Sequence, residues 1–324
     1  MALRTRLTEK LGIAHPVLLA PMGGVSGGRL AHAVSAAGGL GLIGGGYGDA
    51  TWLEQEFAAA GNQRVGCGFI TWSMARDPRL LDLALAHRPA AVMLSFGDPR
   101  PFAARIRDAG SVLICQVQGL DHVRQALEAG AEIIVAQGTE AGGHGGGRAT
   151  LPLVPAVVDL VDRSAPDAMV VAAGGIADGR GLAAALALGA EGVLVGTRFY
   201  ATVEALGHDA AKQRIVAASA ANTLRTSVFD AARGYAWPDG FTGRALHNDF
   251  TARWHGRENA LAAVLDAEME RYRTGAASGD MDTAVVFAGE AVDLVNDMPP
   301  AADVVARLVS GAEHALAAAT ARIV

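Results

Sequence analysis

One kind of junction recurs along the first two thirds of the sequence and constrains its fold more than any other feature. At each junction a segment of helical pattern is followed by a glycine and then by a short apolar run. The junctions are Ala37-Gly38-Gly39-Leu40, Ala109-Gly110-Ser111, Ala129-Gly130-Ala131-Glu132 and Leu188-Gly189-Ala190-Glu191. Glycine favours the left-handed position that ends a helix, and continuous apolar runs are typical of parallel strands buried on both faces. The junctions therefore predict alternating helices and parallel strands.

The apolar runs give eight candidate strands, most of them separated by roughly 20–26 residues, the length of one strand plus one helix. The runs begin near Val17, Leu40, Val65, Ala91, Val112, Glu132, Met169 and Gly192. The helices predicted from the same pattern are Arg29–Ala37, Thr51–Ala60, Pro78–His87, Pro101–Ala109, Asp121–Ala129, Leu153–Arg163, Gly179–Leu188 and Ala301–Ala319. Eight such units predict an α/β fold, a closed (β/α)8 TIM barrel of roughly 200 residues. An open doubly wound sheet is the alternative, which periodicity alone leaves open.

The junctions stop after Tyr200. From about His208 to Met298 the sequence has more polar helical stretches, separated by turn signals such as Trp237-Pro238-Asp239-Gly240. We therefore predict a barrel formed by residues 1–206 and 300–324, with residues 207–299 inserted as a helical cap.

Charge and hydropathy limit the classes of partner. The net charge of −6 argues against a nucleic-acid partner, which requires a basic surface. No apolar run reaches the roughly 18 residues of a membrane-spanning helix, and the first residues contain no apolar segment of a signal peptide. Two cysteines, Cys67 and Cys115, lie in apolar strand segments and are expected to be buried and reduced. We predict a soluble cytoplasmic protein with a small-molecule substrate; its oligomeric state stays open.

Glycine-rich segments follow the last three predicted strands, where a barrel places its chemistry. The sixth strand leads into residues 136–147, the seventh into Gly174-Gly175 and the eighth into Gly196-Thr197. Loops after the seventh and eighth strands commonly bind phosphate through backbone N–H groups, and glycine permits close approach. The two pairs therefore predict a phosphate site, with ordinary tight turns as the alternative.

His144 stands between glycines in the segment after the sixth strand. We predict that it lies in a loop and reaches into a pocket, where its pKa range suits acid–base chemistry or hydrogen bonding to an anion. The alternative is an exposed loop histidine without a function. No second histidine stands at ligand spacing, so no metal site is predicted.

Five segments in order carry a resemblance to a known family. They are Ala20-Pro21-Met22-Gly23, Gly38-Gly39-Leu40-Gly41 with Gly44-Gly45-Gly46-Tyr47, Gly138-Thr139-Glu140-Ala141-Gly142-Gly143-His144, Ala173-Gly174-Gly175-Ile176-Ala177 and Gly196-Thr197-Arg198-Phe199. At these segments the sequence resembles the class I nitronate monooxygenases, once called 2-nitropropane dioxygenases, and the resemblance covers most of the chain.

The resemblance implies a (β/α)8 barrel with a helical cap, noncovalently bound FMN and His144 beside the flavin. The flavin contacts that it implies are Ala20, Met22, Gln137, Gly142, Gly174, Gly175, Gly196 and Thr197. The chain departs from the family at two positions: Gly68 stands where an asparagine usually contacts the flavin, and Gln116 stands where relatives often have lysine. These exchanges are expected to change the flavin environment or the substrate pocket.

The resemblance implies an FMN-dependent oxidase of alkyl nitronates of the propionate 3-nitronate type, with O2 as electron acceptor. His144 would orient the anion, or act as a base on a neutral nitroalkane. The alternative is an NAD(P)H-dependent FMN reductase of a quinone or an enoyl thioester. A third hypothesis is a flavin-binding scaffold without turnover.

Overall fold

Nine strands lie in the first two thirds of the chain in this computed structural model, which describes residues 3–323. They are β1 (Val17–Leu19), β2 (Leu42–Gly44), β3 (Gly66–Ile70), β4 (Ala91–Ser95), β5 (Val112–Val117), β6 (Ile133–Gln137), β7 (Gly143–Gly145), β8 (Met169–Ala173) and β9 (Val193–Val195). All except β7 form one parallel sheet, and they correspond to the eight predicted strands. The seventh and eighth barrel strands are therefore β8 and β9.

The parallel sheet closes on itself. Its order is β1-β9-β8-β6-β5-β4-β3-β2, and a parallel bridge joins Leu18 to Leu40 at the two ends of that order. The N–H of Leu19 donates to the carbonyl of Leu40 across the same seam, at 3.0 Å. The closed barrel is confirmed, and the open doubly wound sheet is excluded.

Ten helices lie in the described part of this region; seven of them correspond to predicted helices, and the first, fourth and tenth do not. They are α1 (Arg6–Leu11), α2 (Gly28–Ala36), α3 (Ala50–Ala60), α4 (Thr71–Met74), α5 (Arg79–Ala86), α6 (Arg100–Asp108), α7 (Leu120–Glu128), α8 (Thr150–Ser164), α9 (Gly179–Ala187) and α10 (Thr197–Tyr200). The glycines that follow α7 and α9 have positive φ, 77° at Gly130 and 89° at Gly189. Because a side chain rarely adopts this conformation, glycine at the junction ends the helix and turns the chain into the next strand.

Two apolar layers hold the barrel together. Side chains on the inner faces of the strands, among them Leu18, Met93 and Val171, pack along the barrel axis. Leu7 and Leu11 of α1 join this inner cluster, so α1 packs against one end of the barrel. The predictions did not include α1, because six residues are too short for a clear helical period. The larger cluster lies between the strands and the surrounding helices.

The rest of the chain combines helices with two strands. Its elements are α11 (Asp209–Ala217), β10 (Thr223–Thr226), α12 (Val228–Arg233), β11 (Thr242–Leu246), α13 (Asp249–Trp254), α14 (Glu258–Ala262), α15 (Leu265–Ser278) and α16 (Ala301–Thr320). Two short 3-10 helices, Ala220–Asn222 and Glu290–Leu294, complete the set. β10 and β11 are antiparallel, and β11 also pairs with β7, so a three-stranded sheet joins the inserted segment to the barrel.

The inserted segment has a small core of its own, in which Phe229, Phe250 and Tyr272 pack together. The final helix, α16, was predicted from the sequence; it returns to the barrel and buries Val304 and Leu308. The division into a barrel (1–206 and 300–324) and a cap (207–299) stays a prediction, and its residues 1, 2 and 324 lie outside the described residues. Within residues 3–323, no helix is both long enough and apolar enough to cross a membrane.

Candidate active site

A cavity of about 870 Å³ lies at the carboxyl ends of the barrel strands, with residues of the inserted segment on its opposite wall. Six of the nine predicted site residues line it: Ala20, Met22, Gln137, Gly142, His144 and Thr197. The barrel therefore gathers residues from β1, β6, β7 and the start of α10 around one space, as expected for this fold.

His144 lies in β7 rather than in a loop, so the predicted loop conformation is wrong. The strand forms because the segment pairs with β11, in which Gly243 stands opposite His144. Gly243 also permits close packing, since a Cβ there would lie 2.8 Å from the ring of Phe287. The carbonyl of His144 accepts a hydrogen bond from Gln137 Nε2 at 3.0 Å. The histidine backbone is thus held from two sides.

The imidazole of His144 is paired with Asp230 of α12. Nε2 lies 2.9 Å and 3.0 Å from the two carboxylate oxygens, and both side chains are buried. A carboxylate only accepts hydrogen bonds, so Nε2 carries the proton and donates it. Burial lowers the pKa of His144, and the hydrogen bond and charge of Asp230 oppose this without reversing it. The ring is therefore neutral at pH 7, with its lone pair on Nδ1.

Aromatic rings surround this pair. The indole of Trp237 stacks on the ring of His144, with centroids 3.5 Å apart and planes 3° from parallel. Trp237 Nε1 donates to the hydroxyl of Tyr47 at 3.0 Å, and Tyr47 stacks on Tyr235 at 3.5 Å. Burial raises the pKa of Tyr47 to about 12, so its phenol stays protonated. The histidine therefore borders an apolar space with few charged groups.

Three glutamines form a network on the wall beneath His144. Gln116 Nε2 and Gln118 Nε2 both donate to Gln137 Oε1, at 3.1 Å and 2.9 Å. Because Gln137 in turn donates to the carbonyl of His144, the network fixes the orientation of the Gln137 amide. Gln116 and Gly68, the two departures from the family pattern, both line the cavity.

The sequence matches a model of the nitronate monooxygenase family over residues 4–64 and 60–311. The chain belongs to the nitronate monooxygenase family. It is thus an enzyme of the oxidoreductase class.

Individual members and neighbours of this family carry different names. A nitronate monooxygenase of Neurospora crassa is 33% identical, over 91% of this chain and 88% of its own length. The (3aS,4S,5R,7aS)-5-hydroxy-7a-methyl-1-oxo-octahydro-1H-indene-4-carboxyl-CoA dehydrogenase of Mycobacterium tuberculosis is 31% identical over the full length of both chains. The solved structure of FabK from Thermotoga maritima has a TM-score of 0.87 and 30% identity, with 99% of each chain covered. The names of these relatives describe different activities.

The remaining three predicted site residues, Gly174, Gly175 and Gly196, are not among the residues that line the main cavity of this nitronate monooxygenase family member. A Cβ on Gly196 would lie 3.5 Å from the sulfur of Met22, so Gly196 borders the main cavity. Gly174 and Gly175 line a separate cavity of about 480 Å³ together with Glu140 and Thr150. The carboxylate of Glu140 accepts hydrogen bonds from the N–H and hydroxyl of Thr150 at the start of α8. Gly174 and Gly175 therefore line a different cavity from the six residues named above, and the phosphate site at Gly175 and Gly196 stays a prediction.

The cavity residues of the inserted segment had no counterpart among the predicted site residues; they include Arg233, Tyr235, Trp237 and Phe287. Asp230, 86 residues from His144, was also missed. Trp237 appeared only as part of a turn signal, and no motif marks Asp230. The one applicable signal was general: a buried histidine often pairs with a carboxylate, so the acidic residues of the predicted cap were candidate partners of His144. Within residues 3–323, no group of three or more His, Cys, Asp or Glu side chains is arranged to hold a metal ion.

The segment that carries His144 is docked tightly onto the end of the inserted segment. The carbonyl of Glu140 accepts the N–H of Glu290 at 2.9 Å. A Cβ on Gly142 would lie 2.7 Å from the backbone of Ala288 and Gly289. Arg244 supports the contact. Its Nε donates a hydrogen bond to the carbonyl of Thr139, and its Nη2 lies 2.8 Å from the carboxylate of Glu290. The position of β7 therefore depends on residues far away in sequence.

Proposed function

We propose that this protein is an FMN-dependent oxidase of alkyl nitronates of the propionate 3-nitronate type, with O2 as electron acceptor. Membership of the nitronate monooxygenase family supports the proposal. The observation that carries it is the buried His144–Asp230 pair, whose neutral ring borders an aromatic cavity at the carboxyl ends of the strands. Such a cavity suits a small substrate that reacts out of contact with water.

The residues present fit FMN. The cavity volume of about 870 Å³ lies within the range of roughly 300–1,000 Å³ that is typical of sites for small molecules and cofactors. Gly23 and Gly46 form a flat part of its wall, where a Cβ on Gly23 would lie 2.9 Å from the Cα of Gly46. When bound, FMN supplies the electron transfer between donor and oxygen.

Polar groups for the flavin are also available. The hydroxyl of Thr197 accepts the N–H of Gly289 at 3.0 Å, which leaves its own proton free to donate to a phosphate. We propose that Ala20, Met22, Gln137, Gly142, Gly196 and Thr197 would hold the cofactor. The part of Gly174 and Gly175 in this binding stays a prediction, because they line the neighbouring cavity.

His144 would act as the base. With Nε2–H directed at Asp230, Nδ1 carries the lone pair that takes the α-proton of a neutral nitroalkane. The electrons of the broken C–H bond move onto the nitro group, and a nitronate results. A nitronate that arrives as such needs no proton removed, so His144 would then serve to position it. The negative charge of Asp230 stabilises the protonated ring.

Anaerobic titration of the FMN-loaded protein tests the proposal. We expect propionate 3-nitronate to bleach the flavin spectrum and O2 to restore it. The His144→Ala variant should lose about 10²–10⁴-fold in kcat/KM with neutral nitroethane. With preformed ethylnitronate the loss should be much smaller. A flavin that no alkyl nitronate bleaches would contradict the proposal.

A second candidate is an NAD(P)H-dependent FMN reductase of a quinone or an enoyl thioester. It is supported by the full-length similarity to a dehydrogenase whose name includes a carboxyl-CoA substrate. Stopped-flow mixing with NADH and with NADPH separates the two functions. Rapid bleaching by either nucleotide, with no bleaching by nitronates, would favour the reductase.

A further inference from the structure

Arg233, the last residue of α12, places its positively charged guanidinium on the wall of the cavity. Its guanidinium carbon lies 4.9 Å from the ring centroid of Tyr235, 5.3 Å from that of Tyr47 and 5.7 Å from that of Phe287. Nη1 is buried and has no hydrogen-bond partner. Within residues 3–323, no carboxylate forms an ion pair with Arg233. The guanidinium therefore lies against aromatic faces and has no carboxylate partner among these residues.

The neighbouring acidic groups are already engaged. Both oxygens of Asp230 lie at hydrogen-bond distance from His144 Nε2. Asp49, which also lines the cavity, accepts the N–H of Trp52 and caps α3. His208, the second histidine on the wall, accepts the N–H of Ala210. A buried guanidinium nitrogen without an acceptor is unfavourable, and ring faces replace its lost hydration only in part.

The chemistry of the missing acceptor follows from the shape of the guanidinium. Its N–H groups form a planar fork that matches a planar group with two anionic oxygens, such as a carboxylate or a nitronate. The neutral ring of His144 offers no positive charge to such a group. Arg233 is the arginine on the wall of the same cavity, where aromatic surroundings exclude water and strengthen the attraction.

We propose that Arg233 binds the planar oxyanion of the substrate in this cavity. The inference rests on the proposed function, because it assumes that the substrate is an anion. Two oxyanions share this chemistry: the nitronate group itself, and the carboxylate of a nitronate that also carries one. Arg233 thus makes the site selective for anions over neutral molecules of the same shape.

Calorimetric titration of the FMN-loaded protein with nitrate and with propionate tests the site without turnover. We expect Arg233→Met to weaken the binding of both anions by about 10- to 100-fold, the effect of losing a hydrogen bond to a charged group. Arg233→Lys should retain part of the affinity, since it keeps the charge but loses the fork. Propionamide, which is neutral, should bind equally to all three proteins. The matched control is Arg253→Met, because Arg253 also lies over a ring, that of Trp254, but outside the cavity.

Steady-state kinetics identify which oxyanion is bound. If Arg233→Met raises KM for ethylnitronate and for propionate 3-nitronate alike, the nitronate group is the ligand. If KM rises for propionate 3-nitronate only, the carboxylate is the ligand. KM for nitroethane should not change in either case, because this substrate is neutral when it binds.

Three results separate the possible failures. Wild-type affinity for nitrate and propionate in Arg233→Met, with normal far-UV circular dichroism, would overturn the inference. Loss of FMN affinity with unchanged anion binding would also overturn it and assign Arg233 to the cofactor phosphate. A wild-type protein that binds the anions through Arg233 but oxidises no nitronate would overturn the proposed function and leave the anion site standing.

Discussion

His144 Nε2 lies 2.9 Å and 3.0 Å from the two carboxylate oxygens of Asp230, in a pair buried between the barrel and the inserted segment. This contact decides which nitrogen of the ring carries the proton and which carries the lone pair. It also links the segment after the sixth barrel strand to a helix that follows the barrel in sequence. Chemistry at His144 therefore depends on the packing of α12.

We expect Asp230→Asn to impair the base and to change its pH dependence. Asparagine has no charge, so the contributions that raise the pKa of His144 are lost and the pKa falls further. The acidic limb of kcat/KM for nitroethane should move to lower pH, because the base stays unprotonated in more acidic solution. The plateau should drop by up to about 10⁴-fold, since asparagine can also hold the wrong tautomer. Asp282→Asn, in an exposed pair with Arg214, is the control. If the acidic limb of the pH profile stays in place in Asp230→Asn, Asp230 does not control the pKa of His144.

We expect the depressed pKa of His144 to make the fold less stable in acid. The unfolded chain binds the proton near the ordinary value of 6.5, whereas the buried ring resists it. The free energy of unfolding should therefore be intact above that pH and fall as the pH drops below it, by at most about 1.4 kcal/mol per pH unit from this group. In His144→Asn this contribution is absent. Urea unfolding of both proteins at pH 7.5 and 5.5 checks the difference, and equal losses would count against it.

Trp237 should control both the reactivity and the pKa of His144. The Trp237→Ala variant removes the stacked ring and admits water, so the pKa of His144 should rise toward its ordinary value. The loss in kcat/KM should be about 2- to 10-fold, which corresponds to an aromatic pair worth about 0.5–1.5 kcal/mol. Trp237→Phe should retain most of the activity, since it keeps a stacked ring. NMR titration of His144 measures the shift, with Trp254→Ala as control. A pKa that stays depressed in Trp237→Ala would show that the stack does not exclude water.

Thr197→Val should weaken FMN binding by about 10- to 150-fold, because it removes a hydroxyl donor to a charged phosphate worth about 1.5–3 kcal/mol. Thr197→Ser keeps the hydroxyl and the acceptor for Gly289 N–H, so its affinity should stay near that of the wild type. Flavin fluorescence during dissociation gives both constants. Equal affinity in the two variants would place the phosphate elsewhere.

The close approach of Gly142 to the inserted segment should make this position intolerant of a side chain. A Cβ there would lie 2.7 Å from backbone atoms of Ala288 and Gly289, so Gly142→Ala should lower the free energy of unfolding by about 1–3 kcal/mol. Gly147→Ala, five residues on, meets nothing within 4 Å and should be neutral. Unfolding midpoints in urea compare the two variants. A wild-type midpoint for Gly142→Ala would mean that β7 and the inserted segment separate easily.

Local pattern was sufficient to predict the alternating helices and parallel strands. A glycine with positive φ after a helix and a continuous apolar run are both properties of a few consecutive residues, so positions such as Gly130 could be recognised without knowledge of their neighbours. The resemblance located His144, and the structure places five of the eight residues it implied as flavin contacts on the wall of the same cavity. Their contacts with a flavin stay predictions.

Tertiary structure alone decided the rest. Periodicity does not distinguish a closed barrel from an open sheet, because both bury strands on two faces; the pairing of Leu18 with Leu40 makes the distinction. The three glycine-flanked residues of β7 have no strand pattern and become a strand only because β11 offers a partner. The packing of α12 brings Asp230 to His144, 86 residues away in sequence, and Arg233 to the cavity wall. Sequence determines the local conformation at each position, whereas the partners of a side chain depend on contacts between distant segments that no local pattern records.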